Sequence, residues 1–191
     1  MYENRADPYC YPGTRVLKNR LGLRKQADLD EFEKLITAQR SEEPLPSGQH
    51  DHVHYYAIHR HLFQDVFAWA GKVRTVRIAK GGHMFCYPEF IDIQMRKLFG
   101  RLAASHFFKG LSTTEFARQS AHFLAELNAI HPFREGNGRT QLTYLTLLSA
   151  HAGHPLALDR MHPGAMLHAM VTSFDGDESP LAALIESLIR D

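Results

Sequence analysis

Cysteine is scarce in this chain. Only Cys10 and Cys86 occur among 191 residues, far apart and with no CxxC spacing. That excludes a disulfide framework and a cysteine-built zinc site, and it fits a reducing compartment. A surplus of one charge is also lacking: 22 Lys and Arg stand against 21 Asp and Glu, a formal net charge of +1. Such a balance points to neither nucleic acid nor an anionic membrane as the main partner. No apolar run is long enough to span a bilayer. Met1-Tyr2-Glu3-Asn4-Arg5 is too polar to begin a secretory signal, so a cytoplasmic protein is expected. Internal repeats and low-complexity tracts are missing too. What is present is 44% apolar and 23% charged residues, enough for a sizeable core in one domain.

Periodicity gives an all-α domain with one small hairpin. Residues 1–26 are polar and broken by Pro8, Pro12 and Gly13, and read as an arm packed on a domain covering 27–191. A helix is expected over 29–40, followed by a loop with Pro44, Pro46 and Gly48. Tyr55, Ile58, Leu62, Val66 and Trp69 are spaced for a long helix over 52–69. Residues 73–78 and 83–87 are β-like and flank Lys80-Gly81-Gly82, which reads as a hairpin turn. Further helices are expected over 88–106, from a Ser112 or Thr113 cap to 130, and over 139–151, 163–174 and 179–189.

Between two of these helices lies His131-Pro132-Phe133-Arg134-Glu135-Gly136-Asn137-Gly138-Arg139. Pro132 keeps the preceding helix from continuing past His131. Gly136 and Gly138 permit backbone conformations and close approaches that a Cβ would forbid. A helix starting directly after such a turn presents free N–H groups and a positive dipole end, which suits phosphate. Arg139 can add a charged fork, and Asn137 an amide. Glu135 can hold Mg²⁺ bridging two phosphates. Neutral His131 can accept a proton from an attacking hydroxyl. These parts describe transfer of a phosphoryl-type group from a nucleotide to a hydroxyl.

The run resembles the signature of the Fic family, HxFx(D/E)GNGRxxR. Tyr11-Pro12-Gly13-Thr14, Val16-Leu17-Lys18-Asn19, the stretch His59-Arg60-His61-Leu62-Phe63-Gln64-Asp65-Val66, Trp69-Ala70-Gly71 and the Lys80-Gly81-Gly82 turn are similar to bacterial members as well. The resemblance implies the Fic fold, a helical bundle with a β-hairpin flap at about 73–87 beside a motif loop at 131–139. It implies transfer of AMP from ATP to a Ser, Thr or Tyr hydroxyl of a target protein. In that scheme His131 is the base and Glu135 the Mg²⁺ ligand. Gly136, Asn137, Gly138 and Arg139 bind phosphate, Phe133 anchors the loop, and Lys80, Gly81, Gly82 and Phe85 on the flap dock the target. The GNGR ending resembles the AMP-transferring branch, since the kinase-like branch carries Lys where Gly138 stands. Bacterial toxins of this type suggest type II topoisomerases as targets.

Two departures from the family pattern stand out. The second signature Arg is replaced by Leu142, one helical turn after Arg139. This removes a charge-assisted contact worth about 1.5–3 kcal/mol where it exists. Three readings follow: another cation such as Lys80 or an arm residue substitutes, the donor is not ATP, or the domain is a weak or inactive transferase. The rival functions are the same fold with another transferred group and a catalytically weak binding module. The family's inhibitory pattern, (S/T)xxxE(G/N), is also missing. Only Glu3 and Glu135 precede Asn or Gly, and neither has Ser or Thr four residues earlier. The resemblance then implies a toxin restrained by a separate small helical antitoxin. His50, His54 and His61 share a helical face near His52 and His59, but no carboxylate or Cys completes a metal site, and a partly exposed helix face is the simpler reading. The basic arm residues Arg15, Lys18, Arg20, Arg24 and Lys25 read as a solvated arm, with contact to nucleotide or partner as the alternative.

Overall fold

A computed structural model describes residues 7–80 and 82–190. Gly81, expected in the flap turn, and Glu3 lie outside the described residues. Seven α-helices account for most of the described chain: α1 (Gln26–Glu42), α2 (His52–Phe63), α3 (Pro88–Ala104), α4 (Thr113–Ile130), α5 (Asn137–Ala152), α6 (Pro163–Phe174) and α7 (Ser179–Leu188). Two short strands, β1 (Ala79–Lys80) and β2 (His83–Met84), pair antiparallel with Ala79 opposite Met84. The all-helical fold class expected from periodicity is the observed one.

The centre of the bundle is α4. Its start is fixed by Ser112, whose hydroxyl accepts the backbone N–H of Glu115. Phe116, Ala117, Ala121, Leu124, Leu127 and Ile130 are buried along it, which places α4 against α3, α5, α6 and α7. Each large apolar side chain so buried contributes about 1.5–3 kcal/mol. α2 packs on α1 and α5, and its Tyr55, Ile58, Leu62 and Phe63 join the same core. The arm is part of this core as well: Cys10, Val16 and Leu17 are buried, and Cys10 bridges Leu17.

Two expectations are corrected. The helix expected over 52–69 ends at Phe63 and continues as tight turns, with the N–H groups of Val66 and Phe67 both bonded to the Phe63 carbonyl. Val66 and Phe67 stay buried, so the apolar spacing persists without the helix. The strand expected over 73–78 does not form, and among the described residues regular pairing is confined to the four residues of β1 and β2. The reason is Arg74, whose N–H donates to the Pro132 carbonyl and whose side chain is fully buried, tying this segment to the loop after α4.

Candidate active site

α4 delivers His131 in an unusual conformation. The last residue of a helix often turns left-handed, and glycine is the usual occupant because it has no Cβ to clash. Here the position is His131, with φ 48° and ψ 64°. A non-glycine residue held there stores strain, which is tolerated where the surroundings over-determine it. They do so here. The His131 N–H donates to Leu127, and its carbonyl accepts Nε of Arg74 at 2.8 Å. The imidazole stacks on Phe85 of the flap with ring centres 3.9 Å apart. Its Nδ1 lies 3.2 Å from the Asn128 carbonyl. A carbonyl only accepts, so Nδ1 carries the proton and Nε2 keeps its lone pair. Burial brings the His131 pKa down to about 4, with Arg74 and Lys80 pushing the same way against the Asn128 hydrogen bond. The ring is therefore a neutral base at pH 7.

From Pro132 to Gly136 the loop is clamped from three sides. Phe133 is fully buried, stacked on His59 at 3.7 Å and on Tyr55 at 5.6 Å. The Asn137 side chain closes the loop on itself: Oδ1 accepts the Phe133 N–H at 3.0 Å and Nδ2 donates to the Phe133 carbonyl at 2.8 Å. The Asn137 amide, expected to reach a phosphate, is 2% exposed and engaged within the loop. His59 donates from Nε2 to the Glu135 carbonyl at 3.0 Å and accepts the Gly71 N–H at Nδ1, 2.8 Å away. Burial brings its pKa down to about 3, so it stays neutral in this clamp. Arg134 pairs with Asp7 at 2.7 Å, fastening the arm to the loop.

Gly136 then takes φ 83° and begins α5 with no side-chain cap. The N–H groups of the first turn of a helix have no partner within it, so the uncapped Asn137–Gly138–Arg139 end has the chemistry to receive an anion. A Cβ on Gly136 would lie 2.4 Å from the Phe63 ring, so only glycine fits. The Glu135 carboxylate accepts the Gly136 N–H at 2.9 Å. It is 46% exposed, which leaves oxygen lone pairs open to a hard cation such as Mg²⁺. Arg139 is ion-paired with Glu33 of α1, lies 3.9 Å from Glu135, and sits over the Phe63 ring at 4.7 Å. Leu142, one turn on, is half-buried.

The flap is sparse by contrast. Lys80 is exposed on β1, Gly82 turns with φ 86°, and Phe85 is buried against His131. Sequence reasoning missed Arg74, His59 as a loop clamp, Asp7 and Glu33. Arg74 is the largest omission. Its guanidinium donates to four backbone carbonyls, those of His131, Val76, Cys86 and Ile130, and burial brings its pKa down to about 10. No local pattern marks an Arg as buried, so these links were visible only once the chain was folded. The ring nitrogens of His54 and His61 engage the carbonyls of Pro46 and Arg40. In the arm, Lys18 donates to the Pro8 carbonyl and Arg24 lies over Tyr11.

With this geometry in hand, the chain can be set beside known proteins. The Fic/DOC family model matches residues 49–149. A probable protein adenylyltransferase of Sinorhizobium fredii is 51% identical over 189 residues, covering 98% of both chains. The protein adenylyltransferase VbhT of Bartonella schoenbuchensis is 37% identical over 96% of this chain, which spans 39% of that longer protein. Among solved structures, BepC of Bartonella tribocorum with bound AMPPNP superposes with a TM-score of 0.88 at 28% identity, covering 95% of this chain and 96% of that one.

Proposed function

This chain belongs to the Fic/DOC family, and from that premise we propose that it is a protein adenylyltransferase, moving AMP from ATP to a Ser, Thr or Tyr hydroxyl of a target protein. The observation that carries the reading is His131, a neutral imidazole whose Nδ1 is bonded to Asn128 and whose Nε2 has no hydrogen bond among the described residues, set four residues before the Glu135–Arg139 turn. The names of the relatives and the AMPPNP bound to BepC support ATP as donor.

In the proposed course the backbone of Gly136, Asn137, Gly138 and Arg139 holds the phosphates, and the Arg139 guanidinium adds charge. His131 Nε2 takes the proton of the target hydroxyl. The hydroxyl oxygen bonds to the α-phosphorus as the bond to pyrophosphate breaks in line, and pyrophosphate leaves. Glu135 is the residue that would hold Mg²⁺, an ion that neutralises phosphate charge when bound. Lys80, Gly82 and Phe85 form the side of the site where an extended target segment would lie, adding to the short flap as a strand. In this reading residues 1–26 are an arm packed on a catalytic domain of 27–191, and the Asp7–Arg134 link supports that packing. The finer reading, a cytoplasmic toxin restrained by a small helical antitoxin and aimed at a type II topoisomerase, rests on the missing inhibitory motif and on likeness to bacterial toxins.

The test is transfer of label from ATP labelled at the α-phosphate into lysate proteins with Mg²⁺, comparing the chain with His131→Ala. A labelled band that falls by about 10²–10⁴-fold in the variant is expected. No band with the unaltered chain, or an equal band with both, overturns the reading.

A further inference from the structure

We propose that Glu33 of α1 is the positioning residue for Arg139, fixing its guanidinium for the donor phosphate; the inference rests on the function proposed above. Arg139 is the only Lys or Arg in α5, and Leu142 leaves no second Arg on that face. What this single cation does therefore depends on how it is oriented.

Three groups from two other helices orient it. The Glu33 carboxylate pairs with Nη2. Nη1 donates to Oγ1 of Thr37 at 3.2 Å. That hydroxyl spends its own proton on the Glu33 carbonyl at 2.7 Å, so a lone pair is directed to Arg139. The Phe63 ring at the end of α2 lies under the guanidinium at 4.7 Å. The same ring leaves no room for a Cβ on Gly136, which links the Arg139 platform to the phosphate turn.

Glu33 is 7% exposed, and Arg139 is its one ion-pair partner among the described residues. A buried carboxylate without its cation is costly, so the pair is strongly held on the Glu33 side. On the Arg139 side it is not exhausted. Two of five guanidinium N–H groups are engaged by Glu33 and Thr37, and the side chain is 42% exposed. The remaining donors are available to a phosphate without breaking the pair. A free Arg must lose rotamer freedom when it grips a ligand. Here α1 has already removed that freedom.

The test is a double-mutant cycle on ATP binding, measured by calorimetry on the full chain, with Glu33→Ala, Arg139→Ala and the double variant. Glu33→Ala is expected to weaken ATP binding about 5–10-fold when Arg139 is present and less than about 2-fold when it is absent. Glu33→Gln, which still accepts a hydrogen bond, should lose less than Glu33→Ala. Equal losses in both backgrounds assign Glu33 to tying α1 down and overturn the proposal. Tighter ATP binding in Glu33→Ala makes Glu33 a competitor and overturns it too. If Glu33→Ala does not fold, Glu33→Gln and Thr37→Val carry the cycle. Labelled AMP transfer in the same samples keeps the two claims apart. Coupled binding without transfer supports the positioning role and overturns the adenylyltransferase reading. Transfer without coupling overturns only the positioning role, and an unaltered chain that binds no ATP overturns both.

Discussion

The motif loop and the flap face each other across His131, yet they are built by opposite rules. In the loop, backbone and side chains are locked at once: Phe133 stacked between His59 and Tyr55, Asn137 folded back on Phe133, Arg139 paired across to α1. The flap has two strands of two residues, with exposed Ala79, Lys80 and Met84, and a glycine turn with open space around it. The difference teaches where order is needed before a substrate arrives. A group that must meet a phosphate within a fraction of an ångström gains from rigid support. A strand edge that receives an extended segment offers backbone hydrogen bonds and needs little packing of its own.

Breaking the link between the two regions should have the largest effect. Arg74 is fully buried and joins the end of α4 to the base of the flap through four carbonyls, at 2.8, 2.6, 2.5 and 3.2 Å. Arg74→Ala leaves those acceptors unpaired beside a cavity. The expected cost is at least about 3 kcal/mol, a fall in Tm of about 6–12 °C by thermal unfolding, with loss of transfer activity. Arg74→Lys keeps the charge but offers one compact donor group instead of a fork, so it should fall between. An alanine variant as stable as the parent would show that the loop does not depend on this bridge.

A matched pair of glycines sharpens the contrast. Gly136 in the loop has φ 83° and Gly82 in the flap has φ 86°, so alanine is strained alike at both, by about 1–2 kcal/mol. Their surroundings differ. A Cβ at 136 meets the Phe63 ring at 2.4 Å, whereas one at 82 meets nothing within 4 Å. Gly136→Ala should therefore cost about 1–3 kcal/mol more than Gly82→Ala by denaturant unfolding. It should also lower ATP affinity, because Phe63 lies beneath Arg139. Equal costs would mean that Phe63 yields freely and the loop is softer than its contacts imply.

These contrasts mark where sequence reading works. Helix positions followed from apolar spacing and from local signals, Ser112 and Pro88 at helix starts and Gly153 at a helix end, since those signals act within a few residues. The candidate site was legible because its residues are packed into nine consecutive positions. Its supports were not. Arg74, His59, Asp7 and Glu33 reach the loop from 57, 76, 127 and 106 residues away along the chain. Each is an ordinary polar residue in its own neighbourhood. For Asn137, only the folded loop shows that its amide is used internally. The flap was over-read for a related reason: β-like residues at 73–78 pair with whatever lies beside them, and here that is the loop.

The smallest expected effect on transfer, none between pH 8 and about 5, separates the loop's chemistry from its stability. Burial lowers His131 to about 4 and His59 to about 3 in the folded chain, and His50, in the loop before α2, also falls to about 4. Unfolded, each titrates near 6.5. Between those values the unfolded chain binds protons that the folded chain does not, so stability falls as pH drops from about 6.5 towards 4. Each such histidine contributes up to about 1.4 kcal/mol per pH unit across that window. Transfer should behave otherwise, since His131 remains a free base down to about pH 4 and the rate at saturating substrate stays flat from pH 8 to about 5. Denaturant midpoints and initial rates over the same pH series check both halves. His131→Ala should flatten the stability slope without abolishing it, because His59, His50 and His151, all lowered by burial, remain. A transfer rate that halves near pH 6.5 would show that His131 titrates as an exposed imidazole, and that the enclosure by Phe85 and Arg74 opens in solution.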